Sequence, residues 1–83
     1  MDKLKSLRNK IDSIDEQIAK LYSERLTCSE EIGKIKKEYQ LPILNLEREK
    51  EVIENSSSFV KEKYRDSYIK IIKLIIEESK KFQ

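Results

Sequence analysis

Apolar residues recur along the first half of the chain at alternating spacings of three and four residues. They are Leu4, Leu7, Ile11, Ile14, Ile18, Leu21, Cys28, Ile32 and Ile35. This spacing places the side chains on one face of a helix, so we predict one long helix over residues 3–38, with Cys28 as a core residue. Such a helix would be about 54 Å long, whereas a compact domain of this chain length has a radius of gyration of about 12 Å. A single chain therefore cannot cover the whole apolar face.

The rest of the chain contains signals for two further helices. Pro42 ends the first helix, because the residue before a proline is pushed out of the α region. Asn45 is a suitable N-cap for a short helix over residues 46–55, and the polar residues 55–58 are interpreted as a loop. A third helix then reaches the C-terminus, with an apolar face of Tyr64, Tyr68, Ile72, Ile75 and Ile76. We therefore predict an all-α fold of one long, one short and one medium helix, in a single domain of residues 1–83.

Composition supports the helical fold and excludes several kinds of partner. A single glycine and a single proline are typical of helical proteins. The 18 basic and 16 acidic residues are interleaved, unlike the one-sided basic surface of nucleic-acid-binding proteins. No apolar run approaches the roughly 18 residues of a membrane span, and the charged N-terminus does not resemble a signal peptide. We expect a cytoplasmic protein with neither a nucleic-acid nor a membrane partner.

The chain also lacks residues on which many catalytic sites depend. It has no histidine and one cysteine, Cys28, so it can form neither an internal disulfide nor a Cys–His nucleophilic pair. The absence of histidine excludes the usual zinc sites and the commonest general base. We predict no metal site, and chemistry that depends on carboxylates, lysine, tyrosine or arginine.

Two cations lie on or near the apolar face of the first helix. Arg25 occupies the position of that face between Leu21 and Cys28. Burial of an unpaired charge costs several kcal/mol, so Arg25 requires an anionic partner, either a protein carboxylate or a ligand. A salt bridge between helices, or a polar position that sets helix register, would explain Arg25 equally well. Lys36 lies three turns further on a similar side, although by itself it is typical of a solvated lysine.

Polar residues also interrupt the apolar face of the third helix, where Ser79 and Gln83 continue the series. Ser79 could bond back to its own helix and Gln83 could lie in a frayed terminus, so structural explanations stay open. Arg8 lies about 25 Å from Arg25 along a straight helix. It can reach the same small ligand only from the partner helix of an antiparallel dimer.

Four segments together resemble the all-helical chorismate mutase family. They are LRNKIDSIDEQIAKLYSER, IGKIKK, PILNLEREKEV, and IIEES with a glutamine four residues after its serine. The resemblance covers nearly the whole chain in order. It implies three helices per chain in an intertwined homodimer with two equivalent sites. It also implies the Claisen rearrangement of chorismate to prephenate without a cofactor, at the branch of the shikimate pathway toward phenylalanine and tyrosine.

The resemblance assigns roles to the residues singled out above. Arg8 resembles an arginine donated by the partner chain, and Arg25 an arginine of the same chain, which together hold the two substrate carboxylates. Lys36 matches a lysine that contacts a carboxylate and the ether oxygen of the breaking bond. Ser79 matches a carboxylate-binding serine, and Gln83 matches a second donor to the ether oxygen. Lys36 and Gln83 are therefore the expected catalytic residues.

The second helix supplies further expected substrate contacts. Arg48 and Glu49 match an Arg-Glu pair, in which Glu49 accepts a hydrogen bond from the ring hydroxyl of the substrate. Asn45 departs from the aspartate common in the family, which changes little if its backbone N–H makes the contact. Gln83 is the last residue here, whereas family members often continue past it, so we expect its turn to be loose until ligand binds.

Two other functions stay open from the sequence. An isochorismate-pyruvate lyase would use a similar scaffold and cationic pocket, but would eliminate pyruvate. A non-catalytic helical dimerisation module would use Arg25 and Ser79 only to set register. The products formed from chorismate and from isochorismate distinguish a mutase from a lyase. Turnover of either substrate would exclude the non-catalytic module.

The sequence predicts that turnover persists through neutral pH. Gln83 donates a hydrogen bond without titrating, whereas a glutamate at this position would have to be protonated to do so. A pH–rate profile measures this directly. A steep loss of rate between about pH 5 and 7 would contradict the assigned role of Gln83.

Overall fold

The computed structural model describes residues 1–83, and all of its regular structure is helical. Helix α1 spans Asp2–Glu38, α2 spans Leu46–Ser57 and α3 spans Arg65–Lys80, with one 3-10 turn at Glu62–Tyr64 before α3. The predicted order of a long, a short and a medium helix is therefore confirmed. None of these helices is both long enough and apolar enough to cross a bilayer.

The end of α1 is fixed by a left-handed residue that comes before the proline. Gln40 has a φ of 56°, and its N–H donates to the Lys37 carbonyl at 3.3 Å. The N–H of Leu41 donates to the Lys36 carbonyl at 2.7 Å. These two bonds form the Schellman motif, which satisfies carbonyl groups that the end of a helix leaves without a partner. The chain turns here, two residues before Pro42, and α2 follows from Leu46.

Helix α2 begins as predicted but ends later than predicted. The Asn45 side chain accepts a hydrogen bond from the Arg48 backbone N–H at 3.0 Å, which confirms Asn45 as the N-cap. The prediction of a loop over residues 55–58 is wrong, because α2 continues through Ser57. The serine hydroxyls donate to carbonyl groups of the preceding turn, with Ser56 bonded to Val52 at 2.7 Å. Serine hydroxyls that bond back in this way remain compatible with a helix.

The third helix forms the centre of a small core. Ile72 and Ile76 of α3 are the only buried hydrophobic residues of the chain. After Lys80 the chain forms single turns, in which the Phe82 N–H donates to the Ser79 carbonyl at 3.1 Å, so α3 ends three residues before the predicted end. The core therefore lies where α3 meets α1 and α2, near the C-terminal half of α1.

The N-terminal half of α1 extends away from this core. The molecule measures 57 × 24 × 15 Å, and its radius of gyration is 16.1 Å. A compact chain of this length would have a radius of about 12 Å. Six apolar residues of this half are between 40% and 62% exposed: Leu4, Leu7, Ile11, Ile14, Ile18 and Leu21. One chain leaves this apolar face uncovered, as the length of the predicted first helix implies.

Cys28 is not a core residue, contrary to the prediction. It is exposed in the chain and lies on the wall of a cavity between the helices. The three-four spacing places Cys28 correctly on the inner face of α1. The space opposite this position is open rather than filled by α3, and a periodic pattern alone does not reveal such a gap.

Candidate active site

The three helices enclose a cavity beside the C-terminal half of α1. Its volume is about 400 Å³, within the range of sites that hold small molecules. Seven of the eight residues expected at a site line this cavity: Arg25, Lys36, Asn45, Arg48, Glu49, Ser79 and Gln83. Residues from every helix, far apart in sequence, are thus brought to one place.

Arg25 reaches across the cavity to α3. Its guanidinium Nη1 donates to the Ser79 Oγ at 2.5 Å, and this hydroxyl donates to the Ile75 carbonyl at 2.6 Å. Ser79 is 3% exposed, so the contact is sheltered from water. No carboxylate of the chain forms an ion pair with Arg25. The hydroxyl satisfies one N–H of the guanidinium, but it leaves the positive charge uncompensated.

Lys36 forms a second connection between α1 and α3. Its Nζ donates to the Gln83 Oε1 at 2.8 Å and to the Ile43 carbonyl at 2.9 Å. An ammonium group can only donate, so Lys36 fixes which end of the Gln83 amide faces it. Both N–H bonds of that amide point elsewhere. Like Arg25, Lys36 has no carboxylate partner, and the cavity therefore contains two cations whose hydrogen bonds are all to neutral groups.

The first turn of α2 contributes the next two polar side chains. The Asn45 cap begins the helix, and Arg48 and Glu49 follow in its first turn. Arg48 forms an ion pair with Glu51 one turn further, where both side chains are more than half exposed. Glu49 forms an ion pair with Lys80 of α3, with 3.2 Å between Oε2 and Nζ. The two adjacent residues of α2 therefore have different partners.

Lys80 is a cavity residue that the sequence analysis missed. Its ammonium group contacts Glu49 and also the Glu77 Oε1 at 2.8 Å. Hydrogen bonds to Glu77 and Glu49, in that order of importance, raise the pKa of Lys80 above its ordinary value. The available signal was Glu49 itself, since a carboxylate on the inner side of α2 requires a cation from the facing helix.

Arg8 is the one expected site residue that lies outside the cavity. It is exposed on the N-terminal half of α1, about 25 Å from Arg25 along the helix. A single chain thus brings together the other seven residues without Arg8. No cluster of three or more potential metal ligands is present.

Comparison with known proteins identifies the family. A family model described as chorismate mutase type II matches residues 7–83. The chain belongs to this family. The type II chorismate mutase match includes every residue of the cavity and also Arg8.

Individual relatives agree with this family. A chorismate mutase of Methanocaldococcus jannaschii is 36% identical, over 100% of this chain and 86% of that protein. A bifunctional chorismate mutase/prephenate dehydratase of Aquifex aeolicus is 45% identical, over 77% of this chain and 18% of that protein. The bifunctional protein of Escherichia coli K12 is 32% identical, over 92% of this chain and 20% of its own length. The chain therefore spans about a fifth of each of these two bifunctional relatives, and no solved structure gives a significant match.

The close approach of α1 to the C-terminal turn generates a prediction for Gly33. A Cβ built on Gly33 would lie 2.4 Å from the carbonyl oxygen and 2.7 Å from the Cα of Gln83, so backbone would have to move. Alanine raises the helix propensity of α1 by about 1 kcal/mol, and we expect Gly33→Ala to preserve α1 but to displace the turn that holds Gln83. Hydrogen exchange of the Phe82 and Gln83 amides, followed by NMR, should become faster by about tenfold or more.

Thr27→Ala is the matched control for this variant, because Thr27 is exposed on α1 and its hydroxyl bonds only within that helix. Its exchange rates at Phe82 and Gln83 should equal those of the wild type. Unchanged exchange in Gly33→Ala would show that the turn does not depend on close contact with α1.

Proposed function

We propose that the protein is a chorismate mutase, an isomerase that rearranges chorismate to prephenate. The family match and the 36% identical chorismate mutase support this activity. One structural observation carries the proposal: Arg25 and Lys36 face a small cavity without any carboxylate partner. Chorismate is a dicarboxylate, and its two negative charges are complementary to this pair of cations.

The reaction suits a site without histidine. In a Claisen rearrangement one carbon–carbon bond forms while the ether carbon–oxygen bond breaks, and no atom or proton leaves the substrate. The enzyme needs no nucleophile and no base. It has to select the folded conformer in which the reacting atoms are close, and to stabilise negative charge on the ether oxygen as the bond breaks.

We assign stabilisation of the ether oxygen to Lys36 and Gln83. Their contact at 2.8 Å uses one N–H of the ammonium and the oxygen of the amide. The amide therefore presents N–H donors rather than its oxygen to a bound molecule. Two adjacent donors, one charged and one neutral, could then share a single oxygen. Such preorganised donors act most strongly on the transition state, where the negative charge is largest.

The remaining cavity residues are assigned to substrate binding. Arg25 and Ser79 would hold one carboxylate, for which Arg25 has further N–H donors and the Ser79 hydroxyl would turn its one hydrogen from the Ile75 carbonyl to the substrate. Glu49 would accept a hydrogen bond from the ring hydroxyl. Arg48 is free to contact the substrate, because its exposed ion pair contributes only about 0–1 kcal/mol. The side chain of Asn45 caps α2, so we assign its contact to the backbone N–H.

We further propose that residues 1–83 form one mutase domain and that two copies form an intertwined dimer. The exposed apolar face of α1 supports this assembly, because an antiparallel second copy would cover it. The same arrangement would carry Arg8 of the second copy toward the cavity of the first. Each site would then take one arginine from each chain to hold the two carboxylates.

Product identification tests the activity. The protein is incubated separately with chorismate and with isochorismate, and the products are identified by NMR. Prephenate from chorismate as the faster reaction is the expected result. Faster release of pyruvate from isochorismate would replace the proposal by a lyase, and no turnover of either substrate would favour a non-catalytic dimerisation module.

Mixing two inactive variants tests the donation of Arg8 between chains. Arg8→Ala and Arg25→Ala should each be impaired. When the two are unfolded together and refolded as a mixture, a mixed dimer contains one site with both arginines and one with neither. Random pairing makes half of the dimers mixed, so about a quarter of wild-type activity should return.

Arg8→Ala mixed with Lys5→Ala is the control for the refolding procedure, since Lys5 is an exposed neighbour in α1 without an assigned role. If Arg8 and Arg25 act in the same site of one chain, the mixture of their variants should remain as inactive as either alone. That result would contradict the shared site.

A further inference from the structure

The ion pair between Glu49 and Lys80 differs from every other ion pair of the chain. It alone connects two helices, since the others join residues three or four apart in the sequence. Its side chains are only 22% and 23% exposed. All of the other pairs have at least one member that is more than half exposed. This pair therefore lies in the wall of the cavity, where the surroundings weaken its interaction least.

We propose that Lys80 is a positioning residue, which holds the Glu49 carboxylate where it can accept a hydrogen bond from the ring hydroxyl of the substrate. This inference rests on the proposed mutase activity, and it gives that activity a specificity-determining group. Glu49 has the only carboxylate side chain among the residues that line the cavity.

Electrostatics explains why Glu49 requires such a partner. A carboxylate that faces a bound dianion repels it, and the repulsion is stronger in a partly enclosed cavity than in water. The Lys80 ammonium, 3.2 Å from Glu49, offsets this repulsion. One oxygen of Glu49 is bonded to Lys80, and the other is available to a hydroxyl donor.

Glu77 fixes Lys80 from its own helix. The two residues are one turn apart on α3, with 2.8 Å between Nζ and Oε1. Glu77 is 62% exposed, so this second carboxylate lies on the solvent side of the ammonium group. Lys80 is therefore held between an outer and an inner carboxylate, and it follows Ser79 directly in the sequence. The turn of α3 that positions Ser79 for Arg25 thus also positions Lys80 for Glu49.

A purely structural role makes a different prediction from a positioning role. If Lys80 merely ties α2 to α3, its removal should lower the melting temperature and reduce turnover of every substrate alike. If Lys80 positions Glu49, the loss should require the Glu49 carboxylate, and it should be larger for a substrate that carries the ring hydroxyl.

The experiment measures kcat and KM for Lys80→Met with chorismate and with the analogue that lacks the ring hydroxyl. Methionine keeps all but the last atom of the length of the side chain and removes its charge. Lys81→Met is the matched control, because Lys81 is the next residue and forms its ion pair with Glu78 at 2.9 Å, outside the cavity. Glu49→Gln, alone and combined with Lys80→Met, completes a double-mutant cycle.

We expect Lys80→Met to lower kcat/KM for chorismate by about tenfold, which is the size of effect that follows the loss of a hydrogen bond to a charged group. The analogue is also a dianion and meets the uncompensated charge of Glu49, but it has no hydroxyl to donate, so its loss with Lys80→Met should be smaller than that of chorismate. Lys80→Met should have no further effect when Glu49→Gln is present. Equal losses with both substrates, or additive effects in the cycle, would overturn the positioning role while the wild type remains active. A wild type that does not convert chorismate would instead overturn the proposed function itself.

Discussion

The positive charge of Arg25 and Lys36 is the constraint on which the site depends. Both side chains extend from α1 into a cavity of about 400 Å³ and meet only neutral oxygens, at 2.5 Å from Ser79 and 2.8 Å from Gln83. Uncompensated cations in a sheltered place are costly, and an anionic ligand removes that cost. The same neutral partners keep the cations in fixed positions and leave their charge for the ligand. Under the proposed function, the site would thus be arranged for a dianion before any ligand arrives, which is the condition for electrostatic catalysis.

The length of α1 connects this site to the assembly that we propose. Helix α1 has 37 residues. The core and the cavity lie beside its C-terminal half, whereas its N-terminal half has an uncovered apolar face. Only Ile72 and Ile76 are buried hydrophobic residues, too few for a stable domain of this size. A second copy would supply the missing hydrophobic contacts and the eighth site residue in one step. Stability and activity would then depend on the same interface.

The parts of the structure that follow from local rules could be predicted from the sequence. The apolar spacing identified α1, the cap at Asn45 identified the start of α2, and Arg25 stood out because a cation interrupted an apolar face. The end of α2 was missed, because serine favours turns over helix interiors, and the hydroxyl contacts that accommodate Ser56 in α2 cannot be recognised from the sequence. Lys80 was missed because an ion pair between helices depends on their packing.

Lys36 is proposed to stabilise negative charge on the ether oxygen as its bond breaks, and turnover by Lys36→Ala tests this role most directly. Lys37→Ala is the matched control, since Lys37 is the next residue of the same helix, is exposed and does not line the cavity. Loss of a preorganised donor costs about 10²–10³ in kcat, so Lys36→Ala should lose at least about a hundredfold in the conversion of chorismate to prephenate. Lys37→Ala should remain close to the wild type. Similar turnover by the two variants would contradict the account.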